Sequence, residues 1–270
     1  MSEQPAPGSR ADDGYLLDNA RAEAGERLAA MAELFDPWTF RHLEAAGVRP
    51  GARVWEVGAG WPTVPAWLAG RVGPSGHVLA TDIDTSWLDR DAGYDVRRHD
   101  VVAEPAPEGP FDVVHARLVL VHLPDRERVL DTLVASLAPG GTLLVEDADP
   151  ALQPLACIVE DSPEAVLANR LRRGFRSLLA ASGADLAFGR TLLTRLRDAG
   201  LLDVRAEVFA PYGGPALRTL EIATLGHVRE RLVAAGLATD DEIDRLVAHL
   251  RGGGLDLVPA PLVSAWGRRP

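Results

Sequence analysis

The sequence contains no lysine; all 28 basic residues are arginine. That excludes a lysine Schiff base and a lysine general base. One cysteine, Cys157, rules out an intrachain disulfide and a thiolate zinc site. No run of about 18 apolar residues exists, so no membrane span is expected. The chain start has no basic segment followed by an apolar one, and a cytoplasmic protein is expected. Acidic residues outnumber basic ones, 39 to 28. A net charge of -11 argues against a nucleic-acid partner, since phosphate binding requires clustered cations. The acidic residues have no spacing suited to metal ligands, and no metal is expected.

What is present is ordinary for a folded domain: 47% apolar and 25% charged residues over 270 positions, enough for one α/β core with an added cap. Only Met1 to Asp12, polar and rich in Pro, Gly and Ser, reads as poorly ordered. The periodicity predicts a helix over Tyr15 to Phe35, broken at Asp36-Pro37, then a short helix ending at Gly47. Strands are predicted at Arg53–Val57, His77–Thr81, Asp95–Arg98, Phe111–His115 and Thr142–Glu146. Helices separate them, at Val64–Val72 and Asp125–Leu137 among others. Such alternation implies a parallel sheet covered on both faces, with a ligand crevice beyond the carboxyl ends of the strands.

After residue 150 the alternation is interrupted. Ser162-Pro163-Glu164 carries an N-cap and a first-turn proline and opens a helix that Gly183 ends. Arg190–Ala199 reads as a helix and Asp203–Phe209 as a strand. Helices near 216–235 and 240–251 precede a last strand, Pro261–Trp266. The expected organisation is an N-terminal helical lid over 1–49 and a ligand-binding core over 50–150. An inserted cap helix covers 151–189, the core sheet is completed by 190–212 and 256–270, and a second helical insertion covers 213–255.

The chemistry concentrates in the first strand–turn–helix. Glu56-Val57-Gly58-Ala59-Gly60 ends a strand in glycines that let backbone approach a ligand. The helix that follows offers its N-terminal NH groups. About 20 residues on, a strand ends in Asp82, suited to a ribose diol. A nicotinamide dinucleotide would use the same pair, but its fingerprint needs a third glycine where Thr63 stands. Glu56 has no use beneath a pyrophosphate, whereas a cationic aminoacyl-sulfonium would welcome it.

The runs Val54–Gly60 and Val78–Asp84 resemble the first and second motifs of class I S-adenosylmethionine-dependent methyltransferases. His99-Asp100-Val101, Phe111–Arg117 with Val121–Pro124, and Leu137–Gly141 resemble their later motifs, in the same order. Five motifs span residues 50 to 149, and in outline the chain is similar to the bacterial quinone-methylating group. The resemblance implies a Rossmann-like, seven-stranded, mostly parallel sheet with helices on both faces and a helical cap. It also implies S-adenosyl-L-methionine as cofactor and a small, largely apolar substrate methylated on O, N or C. Gly58 and Gly60 would contact the methionine part, Asp82 the ribose, Ile83 would flank the adenine, and Asp100 and Val101 would hold its amino group and face. Tyr15 resembles residues that fold over the cofactor carboxylate.

Pro62 replaces a further glycine of the family turn and removes an NH donor. Trp61 beside it reads either as helix-start packing or as a pocket wall. His115 and His122 are catalytic candidates, because a histidine accepts a proton near neutral pH, and Arg117 is one as a substrate or cofactor ligand; packing or capping at a strand end is the alternative for each. Asp147 and Asp149 are candidates to orient substrate. Arg170, Arg172, Arg173 and Arg176 form either a solvated helix face or a contact for an acidic substrate or partner. A cofactor-binding protein of the same fold that is regulatory, or that catalyses a different reaction, remains the competing reading, with a nicotinamide oxidoreductase behind it. A monomer or homodimer is expected.

Overall fold

A computed structural model describes residues 16–17 and 22–270. Seven strands form one sheet: β1 (Arg53–Val57), β2 (His77–Asp82), β3 (Asp95–Arg98), β4 (Phe111–Arg117), β5 (Leu137–Ala148), β6 (Leu202–Phe209) and β7 (Leu262–Arg268). Their order is β3-β2-β1-β4-β5-β7-β6, so the chain reverses direction across the sheet between β1 and β4. All pairs are parallel except those of β7, which runs antiparallel to both β5 and β6. This is the Rossmann-like fold expected from the sequence, and its reversal point is where such sheets place ligands.

Period-two alternation sorts the strand side chains between two cores. Trp55, Val57, Val114 and Val145 face α3 (Arg126–Ala135) and α5 (Leu192–Asp198). Val54, Val113 and Leu144 face α1 (Ala22–Ala45) and α2 (Thr63–Val72). A third cluster lies outside the sheet, joining α4 (Pro163–Ala181), α6 (Pro215–Ala234) and α7 (Asp240–Arg251) with Leu16 and Leu17. Local signals fix these helices: the Ser162 side chain accepts from Ala165 NH at 3.2 Å, and Thr239 with Glu242 completes a capping box.

Two elements differ from expectation. Asp36-Pro37 does not end the first helix; α1 runs through Pro37 to Ala45. Proline removes one backbone donor, but contacts beyond it hold the second half of the helix. Trp38 stacks on Phe209 with ring centroids 4.8 Å apart and donates to Ser264 Oγ at 2.9 Å. Likewise Pro139-Gly140-Gly141 lies inside β5 rather than before it. The register slips between Phe111 and Val113, and a Cβ at Gly141 would lie 2.9 Å from the Phe111 carbonyl oxygen, so the glycine marks a bulge at close backbone approach.

Candidate active site

A cavity of about 640 Å³ opens beyond the carboxyl ends of β1, β2 and β4, between the sheet, α1, α4 and α6. Gly58 and Gly60 line it, with φ of 62° and 57°. A Cβ on Gly58 would sit 2.4 Å from Val119 Cγ2, so the β1 turn and the segment after β4 meet across a missing side chain. Gly60 NH donates to Asp82 Oδ2 at 2.9 Å, and Asp84 NH to Oδ1 at 2.9 Å. Those bonds aim the carboxylate while leaving each oxygen further acceptor capacity. Burial raises the Asp82 pKa, and the backbone donors oppose that rise. Ile83 beside it lines the cavity and is 54% exposed.

Asp100 and Val101 line the same wall. Asp100 Oδ1 accepts from Val102 NH at 2.8 Å and Ala103 NH at 3.1 Å. Its other oxygen has no hydrogen bond among the described residues. Trp61 also lines the cavity and packs on Trp87, ring centroids 5.6 Å apart, so it is both wall and packing residue. Pro62 adopts helical dihedrals immediately before α2 and keeps only its carbonyl in play, accepting from Ala66 NH at 3.0 Å. Tyr15 lies outside the described residues.

Glu56 and His115 are placed differently from expectation: neither lines the cavity. They project from paired positions of β1 and β4 to the α1 side of the sheet, where Glu56 is 2% exposed and His115 0%. His115 Nδ1 lies 2.6 Å from Glu56 Oε2 and its Nε2 lies 3.3 Å from Glu146 Oε2. Ser264 Oγ donates to Glu146 Oε1 at 2.6 Å, and Thr39 donates to the other oxygen. Burial disfavours the imidazolium, but the charge of Glu56 and hydrogen bonds to both carboxylates outweigh it and raise the His115 pKa to about 9. Glu146 shows the converse: burial pushes up, while His115, Arg117 and Ser264 hold it at about 2. With both nitrogens committed to carboxylates and the side chain fully buried off the cavity wall, His115 acts as an internal counter-ion.

Arg117 and His122 do line the cavity. Arg117 is anchored from behind, donating to Asp36 at 2.8 Å and to Thr39 at 2.9 Å. His122 sits in a 3-10 turn, Leu120–His122. Burial first, then the charges of Arg27 and Arg126, lower its pKa to about 4, so the imidazole is neutral near pH 7. Asp149 is not available to substrate. Arg190 grips it through Nε at 2.7 Å and a terminal nitrogen at 2.6 Å, and two backbone NH groups add to that. Asp147 is enclosed and outside the cavity wall; burial raises its pKa well above the ordinary carboxylate value.

Leu118 escaped the sequence reading. It lines the cavity with φ of 57°, a left-handed conformation uncommon for a residue other than glycine. Its NH donates to the Glu146 carbonyl at 2.8 Å, and that pairing imposes the turn. Nothing in the local sequence announces it, because leucine carries no preference for that region. Phe35, Met31 and Leu28 of α1 also reach the cavity.

Comparison with known proteins follows the same lines. Residues 21–206 match the family model described as a methyltransferase domain. The chain is 33% identical over 134 residues to the ubiquinone/menaquinone biosynthesis C-methyltransferase of Vibrio parahaemolyticus, covering 46% of this chain and 52% of that protein. It is 35% identical over 174 residues to methyltransferase str2 of Strobilurus tenacellus, covering 62% and 59%. The chain thus spans about half the length of the curated relatives it matches. The phosphoethanolamine N-methyltransferase 2 of Haemonchus contortus, solved with S-adenosyl-L-methionine, superposes with a TM-score of 0.56 at 15% identity, over 93% of this chain and 58% of that one. Among the described residues no helix is long and apolar enough to cross a membrane, and no group of three or more His, Cys, Asp or Glu could hold a metal ion.

Proposed function

The chain belongs to the methyltransferase domain family, and from that premise we propose that it is an S-adenosyl-L-methionine-dependent methyltransferase of a small, largely apolar metabolite. The observation that carries the reading is the joint presence of Gly58, Gly60, Asp82, the exposed Ile83 and Asp100 on one wall of a single cavity. The cradle fits the cofactor: two glycines at positive φ bring bare backbone to the cavity wall, a carboxylate stands where a ribose diol would be held, and an uncovered aliphatic side chain offers a face to adenine. Asp100 and Val101 take the adenine edge and face.

When bound, S-adenosyl-L-methionine supplies a methyl group on a sulfonium, already activated for in-line attack. The protein's part is therefore alignment and exclusion of water. Phe35 and Met31 of α1 and Phe175 and Leu179 of α4 supply apolar walls for that purpose. His122, neutral and on the cavity wall, accepts a proton where the attacking atom carries one. Arg117, held by Asp36 and Thr39, fixes the end of β4. The segments 50–150, 190–212 and 256–270 constitute the cofactor-binding core together with α1, which covers one face of the sheet rather than serving as a lid, and 151–189 and 213–255 constitute the cap. The acidic composition, with its single cysteine, supports a small molecule over nucleic acid as substrate and a cytoplasmic setting.

Calorimetric titration with S-adenosylhomocysteine tests the cofactor assignment; absence of binding would sink it. Incubation with methyl-labelled cofactor and a metabolite extract tests the activity. A labelled small product is expected, and binding without any transfer would favour a regulatory function instead.

A further inference from the structure

We infer that Arg176 is a specificity determinant that selects an apolar substrate carrying an oxyanion, a carboxylate or a phosphate monoester; the inference rests on the substrate-binding reading of the cavity. The arginine run of α4 divides into two faces. Arg173 is exposed, and Arg170 pairs with Glu242 of α7. Arg172 and Arg176, one turn apart, line the cavity together with Phe175 and Leu179.

Of these two, Arg172 is satisfied. It donates to Glu221 of α6 at 2.5 Å and approaches the Val258 carbonyl at 3.4 Å. Arg176 is not. Its Nε is enclosed without a hydrogen-bond acceptor, and its guanidinium has no ion pair among the described residues. Burial, and then the like charge of Arg172, lower its pKa. Since Glu221 is committed to Arg172, no carboxylate among the described residues pairs with Arg176. An uncompensated, partly buried guanidinium is costly in a folded protein. A ligand that brings a planar or tetrahedral oxyanion removes that cost through charge-assisted hydrogen bonds, for which the guanidinium fork is shaped. Phe175 and Leu179 flank the same helix face, with Leu186 and Leu220 beside them, so the remainder of the ligand is apolar.

The probes are 2-naphthoate, 2-naphthyl phosphate and the neutral 2-naphthamide, titrated calorimetrically into the full chain loaded with S-adenosylhomocysteine. At least one anion is expected to bind about 10- to 100-fold more tightly than the amide, the factor of a charge-assisted hydrogen bond. The difference between the two anions identifies the preferred oxyanion. In Arg176→Gln the preference disappears while S-adenosylhomocysteine binding and the circular dichroism spectrum are unchanged; Arg176→Lys retains part of it. Equal binding of amide and anions, no binding of either anion, or a preference that survives Arg176→Gln overturns the inference. So does loss of S-adenosylhomocysteine affinity in Arg176→Gln with its fold intact, which would assign the guanidinium to the cofactor. If the wild type fails to bind S-adenosylhomocysteine, the cofactor reading falls separately, and the same anion preference is expected in the unloaded chain.

Discussion

His115 and Glu56 face each other across neighbouring strands, Nδ1 to Oε2 at 2.6 Å, with both side chains sealed beneath α1. Glu146 closes the other side of the imidazole, so one cation is held between two carboxylates. A histidine in this position stabilises the folded state and leaves proton transfer in the cavity to other groups.

The stability of the protein should therefore depend on His115 in a defined pH window. Its folded pKa of about 9 stands above the ordinary value of 6.5, so its contribution is complete below about pH 6.5 and is lost as pH rises through about 9. The melting temperature is expected to decline between pH 7 and 9.5. In His115→Gln the curve is flatter over that range, and stability is lower by about 3–5 kcal/mol because buried carboxylates lose their counter-ion. A wild-type melting temperature constant to pH 9.5 would contradict the assignment.

Gly58→Ala tests the cradle. Its new methyl would meet Val119 at 2.4 Å from a backbone with φ of 62°. We expect about 1–3 kcal/mol lower stability by denaturant unfolding. S-adenosylhomocysteine affinity should fall by about tenfold or more, ~1.4 kcal/mol; affinity equal to wild type would show that the ligand does not approach this turn.

Asp82→Asn keeps an acceptor for Gly60 NH but removes the negative charge from the proposed ribose site. Calorimetry should report a loss of about 1.5–3 kcal/mol in S-adenosylhomocysteine binding, the range for a hydrogen bond to a charged group. Unchanged affinity would place the ribose elsewhere.

His122→Gln should leave cofactor binding intact and lower turnover by about 10²–10⁴-fold, provided the accepting atom carries a proton. Because the His122 pKa is held near 4, the acid limb of the wild-type rate profile is expected near that value. A limb near 6.5 that persists in the variant would assign proton transfer to another group.

Much of the fold was legible because its signals are local. Short apolar runs identified six of the strands and the alternation of strands with helices added Asp95–Arg98, and Ser162-Pro163 and Gly183 bracketed α4 close to its observed limits. The two misread elements share one cause. At Pro37 and at Pro139-Gly140-Gly141, local breakers are overruled by contacts with distant residues: Phe209 and Ser264 in the first case, Phe111 and β4 in the second. Local preference is worth a few kcal/mol at most, and packing against a sheet exceeds it.

The candidate site divides in the same way. Gly58, Gly60, Asp82, Ile83, Asp100 and Val101 are consecutive with strand ends, so the order of strands alone carries them to one wall of the cavity. Side-chain pairing could not be read along the chain. Glu56, His115 and Glu146 sit on three adjacent strands, and only the register that sets Glu56 opposite His115 and Glu146 diagonal to it makes them a closed network. Asp149 is removed from the substrate by Arg190, 41 residues away, and Arg176 is left uncompensated because Glu221 of α6 chooses Arg172. The sequence by itself determined the strands and helices through periodicity, and the family through motifs of residues adjacent along the chain. Tertiary structure decided which charged groups face the cavity and which neutralise one another, because charge compensation depends on distance in space.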